Sequence, residues 1–235
     1  MSRLVLRIWL PDRPGALGAV ASRVGAVRAD VVGIDVIERD GGVAIDEIVV
    51  DLPDDALTDL MLSEIRQVDG VGVEEVHRDP AAAADPASAA LAAARVLQEA
   101  PDVAVLGQAL TDHARFLVGA DWSCLLGRPE GSPDATPVVL GASGTVPQAP
   151  WLAAFRAGLQ DDAVATETTG PRDPVCIPLA AAEADLLLGR QSRPIRGRER
   201  ERLCGLAAVG GIRWMQLAVE EARRSHPSGA ARFTA

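Results

Sequence analysis

The sequence is poor in aromatic residues and contains neither lysine nor tyrosine. Only 3% of its 235 residues are aromatic, whereas 48% are hydrophobic. Its core must therefore be aliphatic, and the length suits one large domain or two small ones. The formal net charge of −10 argues against general binding of nucleic acid or of anionic membranes, because both require an excess of positive charge.

Cysteine is also rare, and the chain has only Cys124, Cys176 and Cys204. Their odd number and wide spacing do not fit a disulfide framework, so a reducing compartment suits them better. No apolar run reaches the roughly 18 residues that a membrane-spanning helix requires. The first residues also lack the long apolar segment of a secretion signal. These absences predict a cytoplasmic protein.

Motifs of cofactor and metal sites are missing too. There is no GxGxxG, and no GxxxxGK followed by Ser or Thr, so no phosphate-cradling loop is expected. His77, His113 and His226 are scattered and form no metal-binding pair such as HExxH. All three cysteines stand in apolar patterns, which indicates buried small side chains. We therefore expect no metal, no cofactor and no catalytic residue.

The first part of the chain, residues 2–78, has the pattern β-α-β-β-α-β. Leu4, Leu6, Ile8 and Leu10 alternate with other residues, as the inward face of a strand does. Apolar residues then recur at helical spacing after 15 and again after 55. The segment Asp-Gly-Gly at 40–42 favours a tight turn, and it therefore predicts a hairpin between the second and third strands. The fold class is therefore α+β, with a ferredoxin-like first domain at 1–78.

The remaining chain differs in composition. Residues 79–87 contain two Asp-Pro pairs around an alanine tract, which predicts a linker. Residues 88–226 predict a second domain, with helices up to 118, strands near 122–127, 137–141, 174–179 and 185–190, a short helix at 150–159 and a long helix at 197–224. A loop at 129–133 is expected between the first two of these strands. Residues 227–235 predict a flexible tail.

The first domain resembles the ACT family. The resemblance rests on the segment LPDRPGAL at 10–17, on Ala29-Asp30-Val31 and on the hairpin at 34–50. It is similar to ACT-domain proteins of actinobacteria. The resemblance implies that two such domains pair side by side and bind a small effector, usually an amino acid, at their interface.

The implied ligand site surrounds the start of the first helix. Its unpaired N–H groups suit an α-carboxylate, and Asp12 could accept hydrogen bonds from an α-ammonium group. Asp30 stands where serine-responsive members usually have an amide, which argues against serine and favours a cationic group on the ligand. Asp12 and Asp30 could instead serve only as caps. The candidate binding residues are Leu10, Asp12, Arg13, Pro14, Gly15, Ala16, Leu17 and Asp30.

The second domain resembles GAF domains. The resemblance rests on the strand at 175–179 that ends in Pro-Leu, on the strand at 186–190 that ends in Gly-Arg, and on the final helix. It implies an α/β/α domain with a central antiparallel sheet. Gly205, Gly210 and Gly211 lie inside the final helix, and we expect close packing against the same helix of a second copy to offset their cost.

Three functions remain open at this point. The first is a non-enzymatic amino-acid sensor that acts as a homodimer, on a protein partner that the sequence does not identify. The second is an assembly module without ligand, and the third is a thiol enzyme of GAF fold. Arginines at 190–202 alternate with glutamates, which predicts a solvated helix start and no nucleic-acid site.

Overall fold

A computed structural model describes residues 2–78, 86–127, 137–161, 174–191 and 194–225. The chain divides into two compact units. Unit 1 comprises Met1–Ala89 and Arg196–Arg198, and unit 2 comprises Ala90–Ile195 and Glu199–Ala235. The expected loop at 129–133, most of the linker and the tail at 227–235 lie outside the described residues. Within the described part, no helix is long and apolar enough to cross a membrane.

Unit 1 has the predicted β-α-β-β-α-β order. Its elements are β1 (Ser2–Pro11), α1 (Ala16–Ala26), β2 (Asp30–Asp40), β3 (Val43–Leu52), a 3₁₀ turn (Asp55–Leu57), α2 (Thr58–Arg66) and β4 (Gly72–Arg78). The strands form an antiparallel sheet in the order β2-β3-β1-β4. Strands β2 and β4 are thus the edges of the sheet.

The apolar alternation of β1 and β3 builds the core of unit 1. Leu4, Leu6, Ile8 and Leu10 are all at most 3% exposed, and they pack with Val20 of α1. The same face of β3 contributes further buried apolar residues to this core, namely Ala44, Ile48, Val50 and Leu52. The apolar stripe expected on α2 is only partly buried. Met61 and Ile65 enter the core, whereas Leu60 is 50% exposed.

The elements that follow are α3 (Pro86–Glu99), α4 (Val103–Val118), β5 (Trp122–Gly127), β6 (Val138–Gly144), α5 (Ala149–Asp161), β7 (Val175–Leu179), a 3₁₀ turn (Ala180–Ala182), β8 (Ala184–Gly189) and α6 (Gly197–Ser225). Helix α3 begins at Pro86, so the last two residues of the expected linker are helical. Strand β6 runs three residues past its expected end at 141. The strands form a second antiparallel sheet in the order β6-β5-β8-β7, which confirms the central antiparallel sheet.

Two glycines let α4 lie directly on β6. A Cβ atom added to Gly141 would lie 2.5 Å from the carbonyl oxygen of Gly107, and one added to Gly107 would lie 2.7 Å from that of Leu140. Helix α4 therefore approaches the sheet backbone to backbone, which only glycine permits.

The glycines of α6 do not support the expectation of a helix pair with a second copy. Gly210 and Gly211 are buried against this chain's own side chains, with Leu110 and Leu179 as the nearest neighbours. A Cβ atom added to either glycine would lie at an ordinary van der Waals distance from these side chains. Packing within unit 2 therefore accounts for the position of both glycines. Of the three glycines inside the helix, Gly205 alone is exposed.

Candidate functional site

The turn between β1 and α1 is fixed by backbone hydrogen bonds. The Asp12 N–H donates to the Gly42 carbonyl at 2.8 Å, which ties the turn to the β2–β3 hairpin. The Arg13 N–H donates to Pro11 at 2.8 Å, and the Ala16 N–H donates to Arg13 at 3.3 Å. The chain therefore enters α1 through a compact turn whose side chains are exposed from Asp12 to Gly15.

Gly15 is the N-cap residue of α1, with φ 87° and ψ −13°. This left-handed conformation is accessible to glycine at low cost and strained for other residues. No atom of the described residues lies within 4 Å of the position that a Cβ would occupy at Gly15. The backbone conformation, and not crowding within this chain, explains the glycine.

Helix α1 begins without a side-chain cap. No side chain accepts a hydrogen bond at its N-cap, so Asp12 does not cap it. Among residues 2–78, the backbone N–H groups of Leu17 and Gly18 have no acceptor, and the first helical bond runs from Ala19 to Gly15 at 2.9 Å. Unpaired N–H groups at the positive end of a helix dipole form a ready site for an anion.

Asp12 and Arg39 place opposite charges beside this helix start. Their closest atoms, Arg39 Nε and Asp12 Oδ1, are 3.9 Å apart, and the side chains are 62% and 41% exposed. An exposed ion pair of this length contributes between about 0 and 1 kcal/mol to stability. Both side chains can therefore change partner at little cost. Arg39 was not among the residues proposed from the sequence.

Asp46 is the second charged group that the sequence did not single out. It lies in β3 opposite Ile8 of β1 and Val36 of β2, on the face that carries the core. The residue is 3% exposed, and its Oδ1 accepts no hydrogen bond from the described residues. Burial raises the pKa of this carboxyl group, the charge of Arg39 lowers it, and Asp12 and Asp35 raise it further. In the sequence, Asp46 could have been found as a carboxylate that interrupts the apolar alternation of β3.

The other proposed residues differ in what they can offer a ligand. The side chains of Leu10 and Ala16 are 3% and 4% exposed and belong to the core, so they shape the site from below. Arg13 and Pro14 are exposed in the turn, and Leu17 is half-buried. The turn thus presents backbone N–H groups and the charges of Asp12 and Arg13, with little apolar surface.

Asp30 lies at the other end of the sheet. It opens β2 opposite Asp51 of β3, which in turn lies opposite Arg3 near the start of β1. Asp12 directly follows the end of β1. At 3.3 Å per residue, roughly 30 Å separates the two ends. One copy of unit 1 therefore does not bring Asp12 and Asp30 to the same ligand.

An open recess of ≈ 680 Å³ also lies at the Asp51 end of unit 1. Two ion pairs line it, since Arg3 bonds Asp51 at 2.7 Å and Arg78 bonds Asp55 at 2.5 Å, and the Asp54 carboxylate accepts from the Ala56 N–H at 3.0 Å. The hydrogen bond from Arg3 lowers the pKa of the Asp51 carboxyl group, and hydrogen bonds from Ser2 and Arg78 lower the pKa of the Asp55 carboxyl group. The recess therefore offers less unsatisfied charge than the start of α1.

Unit 2 fills the second face of its sheet with apolar side chains. Trp122, Cys124, Leu126, Leu152 and Leu187 form a separate buried cluster there. Burial raises the pKa of the Cys124 thiol to about 11, which disfavours a thiolate. The expectation that all three cysteines are buried is wrong in part, because Cys176 is half-buried and Cys204 is exposed on α6.

Arg190 belongs to the interior of unit 2 and not to a basic surface. It is 4% exposed and bonds Glu199 at 2.9 and 3.1 Å. Its guanidinium also donates to the carbonyl groups of Val118 and Pro194. The arginine run at 190–202 is thus divided between a buried ion pair and the surface, which weakens its resemblance to a polyanion site.

Solved structures similar to the chain include a GAF domain and a bacteriophytochrome, with low scores. The GAF domain of an Acinetobacter phosphoenolpyruvate-protein phosphotransferase is 8% identical, covers 57% of this chain and 94% of its own, and has a TM-score of 0.42. The chromophore-binding domain of the R. palustris bacteriophytochrome RpBphP3 is 11% identical, with coverages of 94% and 95% and a TM-score of 0.43. A larger structure of that bacteriophytochrome is 11% identical and has a TM-score of 0.46. The match covers 80% of this chain and 43% of the bacteriophytochrome chain.

With TM-scores below 0.5, these likenesses carry no argument, and the GAF-like description of unit 2 rests on its element order and its antiparallel sheet. No curated protein matches the sequence. The family model of the ACT domain matches residues 4–70, which run from within β1 to just beyond the end of α2 and leave out β4. Together with the sheet order and with Gly15 as the N-cap residue of α1, this match identifies the first domain of the chain as an ACT domain.

Proposed function

We propose that the protein is a non-catalytic regulator that binds an amino acid between the ACT domains of two copies. The observation that carries this proposal is the start of α1 inside the matched ACT segment. Gly15 opens the helix in a left-handed conformation, and the N–H groups of Leu17 and Gly18 have no acceptor among the described residues of unit 1. An α-carboxylate fits these donors, and Asp12 lies beside them to accept from an α-ammonium group.

The positions of Asp12 and Asp30 support a site shared by two copies. Strand β2 is an edge of the sheet, and it runs from Asp30 to Asp40. Asp40 pairs with Val43, whose other neighbour is Pro11, directly before Asp12. If two β2 strands pair antiparallel about a twofold axis, Asp30 of one copy comes to the Asp12 end of the other. Such a dimer has two equivalent sites.

The first experiment is a thermal-shift screen of the full chain against the twenty amino acids. A ligand at 100 times its dissociation constant stabilises the native state by about 2.7 kcal/mol. Gly15→Val should abolish the shift, because valine does not tolerate the φ of 87° that orients the helix start. Gly25→Ala is the matched control, since it lies at the other end of the same helix with open space at its Cβ and should keep the shift.

Complementation between two variants tests the shared site. Asp12→Ala and Asp30→Ala should each lose binding when they are purified alone. In a co-expressed mixture, a heterodimer has one site with both changes and one site with neither. Random assembly should then restore about one quarter of the wild-type sites. If the mixture binds no better than the single variants, the two residues do not share a ligand across copies.

The remaining parts of the proposal concern the output and the compartment. We propose that the ligand shifts the dimer geometry of the ACT domains, and that unit 2 or a protein partner reads the change, since a ligand shifts only what it binds differentially. The three free cysteines suit the cytoplasm. A dimer that responds to none of the twenty amino acids would favour the assembly module instead.

A further inference from the structure

The face of α6 that points away from the core of unit 2 carries a regular apolar stripe. Exposed residues recur along it at alternating steps of three and four, namely Gly205, Ala208, Ile212, Met215, Val219 and Ala222. We call these residues the α6 stripe. Ile212, Met215 and Val219 are 50%, 52% and 49% exposed, and they border an open groove of ≈ 360 Å³. Contiguous apolar surface of this kind marks an interaction site.

The opposite face of α6 is already occupied. It carries the apolar residues of the helix that are buried in unit 2, namely Leu203, Leu206, Ala207, Gly210, Gly211 and Leu217. At about 3.6 residues per turn, Ile212 lies on the other side of the helix from Leu203. Helix α3 borders a flank of α6, where Gln98 Nε2 donates to the Val209 carbonyl at 3.2 Å. The described elements of unit 2 thus leave the stripe exposed.

The spacing of the stripe favours another helix as its cover. Alternating steps of three and four give a period of about 3.5 residues, which is the period of the seam between two packed helices. A helix that packs on a broad core has a wider apolar face, as the opposite face of α6 does. The stripe from 205 to 222 is roughly 26 Å long at 1.5 Å per residue. A covering helix must therefore run along α6 and not merely cross it.

Charge complementarity favours α6 of a second copy as that helix. Glu201 precedes the stripe and Arg223 directly follows it, and both are exposed. Helical spacing puts Glu201 in line with the stripe, four residues before Gly205. If two copies of α6 run antiparallel and overlap along the stripe, Glu201 of each comes to the Arg223 end of the other. A parallel pair would instead bring the two Glu201 carboxylates together, and like charges repel.

The sizes of the side chains favour the same arrangement. The first two residues of the stripe are Gly205 and Ala208, and the three that follow are larger. In an antiparallel pair, the small residues of one copy lie opposite large residues of the other, so the two helices keep an even spacing. In a parallel pair, small residues would face small ones at one end of the stripe and leave a gap there.

We propose that the α6 stripe is an interface between unit 2 of two copies, with the helices antiparallel and Ile212 near the twofold axis. This pair uses the face opposite to Gly210 and Gly211, so it differs from the contact expected from those glycines. The inference goes beyond the proposed function, because it involves neither unit 1 nor the amino acid. Unit 2 thereby provides a surface for self-association that is present whether or not a ligand is bound.

The first test measures self-association of the full chain by sedimentation equilibrium. Ile212→Glu places two like charges near the twofold axis, so it should raise the dissociation constant by about 100-fold or more. Phe116→Glu is the matched control, because it makes the same kind of change at a 58% exposed side chain of α4, and it should leave the constant unchanged. A monomeric wild type, an equal effect of both changes or no effect of Ile212→Glu would overturn the proposal, even if the ACT domains still bind their ligand.

Charge reversal tests the direction of the helices. Glu201→Arg and Arg223→Glu should each raise the dissociation constant by about threefold to tenfold, because each makes two attractive pairs repulsive. The double variant again has opposite charges at each end, so its constant should return to within about twofold of wild type. In a parallel pair, the double variant would still bring like charges together. Single variants without effect, or a double variant that does not recover, would therefore overturn the antiparallel interface.

Discussion

The buried ion pair of unit 2 provides a direct test of how its interior is held together. Arg190, which directly follows β8, bonds both carboxylate oxygens of Glu199 in the first turn of α6. It also donates to Pro194 at 2.5 Å and to Val118 at the end of α4. The side chains of the pair are 1% and 3% exposed. Glu199→Ala removes the carboxylate that this buried guanidinium bonds and leaves the two carbonyl partners in place.

Two magnitudes decide what the change should cost. Removal of one partner from a buried ion pair costs about 3–5 kcal/mol, because the remaining charge stays desolvated. An exposed pair on a helix is worth about 0.3–0.5 kcal/mol. Arg95 and Glu99 of α3 form such a pair at 2.6 Å, with exposures of 67% and 60%. Glu199→Ala should therefore destabilise unit 2 several times more than Glu99→Ala does.

Urea denaturation of the full chain measures both free energies of unfolding. Tryptophan fluorescence reports mainly on unit 2, which contains Trp122, Trp151 and Trp214, whereas unit 1 contains only Trp9. A loss below 1 kcal/mol for Glu199→Ala, or a loss equal to that for Glu99→Ala, would refute the reasoning. It would mean that water or the carbonyl groups satisfy the guanidinium without its carboxylate.

Three further predictions concern packing, pH and thiol reactivity. Gly141→Ala should destabilise unit 2 by about 1–3 kcal/mol in urea denaturation, because its Cβ would lie 2.5 Å from the Gly107 oxygen; an unchanged midpoint would contradict that close approach. The folded-state pKa of Asp46 is raised above 3.8, so the folded protein binds this proton more tightly, and the resulting stability is present at low pH and lost as pH rises through the folded value. The difference in stability between wild type and Asp46→Asn should therefore depend on pH above 3.8, and a constant difference would argue against a buried charge. In thiol titration at pH 8, Cys204 should react in the native protein and Cys124, with its pKa of about 11, only after unfolding; early labelling of Cys124 would revive the thiol enzyme.

The strands of unit 1 could be predicted because their apolar residues recur at every second position. Leu4, Leu6, Ile8 and Leu10 all lie in the core. Val5 and Arg7 between them are also at most 3% exposed, which the alternation did not predict. The boundary of β6 was missed because the sequence at its end is Gly-Ala-Ser-Gly, which has low strand propensity. Pairing of β5 with residues as far as Gly144 extends the strand regardless, since tertiary context overrides a weak intrinsic preference.

The candidate site could be located from the sequence but not assembled. The turn at 10–17 was identified by its residues, and the structure adds the left-handed Gly15 that makes it a helix start. The separation of Asp12 from Asp30 depends on strand register, which a one-dimensional pattern does not contain. Arg39 and Asp46 come near the turn only because β2 and β3 fold back on β1. Three strands must pair before these charges meet.

The burial of Asp46 is a cost to the stability of the ACT domain. Its Oδ1 accepts no hydrogen bond from the described residues, and an apolar residue in that row of β3 would pack with Ile48 and Ala44 at no such cost. Because burial penalises only the ionised form of the carboxyl group, this cost grows as the pH rises. The aliphatic core that β3 builds therefore opposes the charge that the same strand carries.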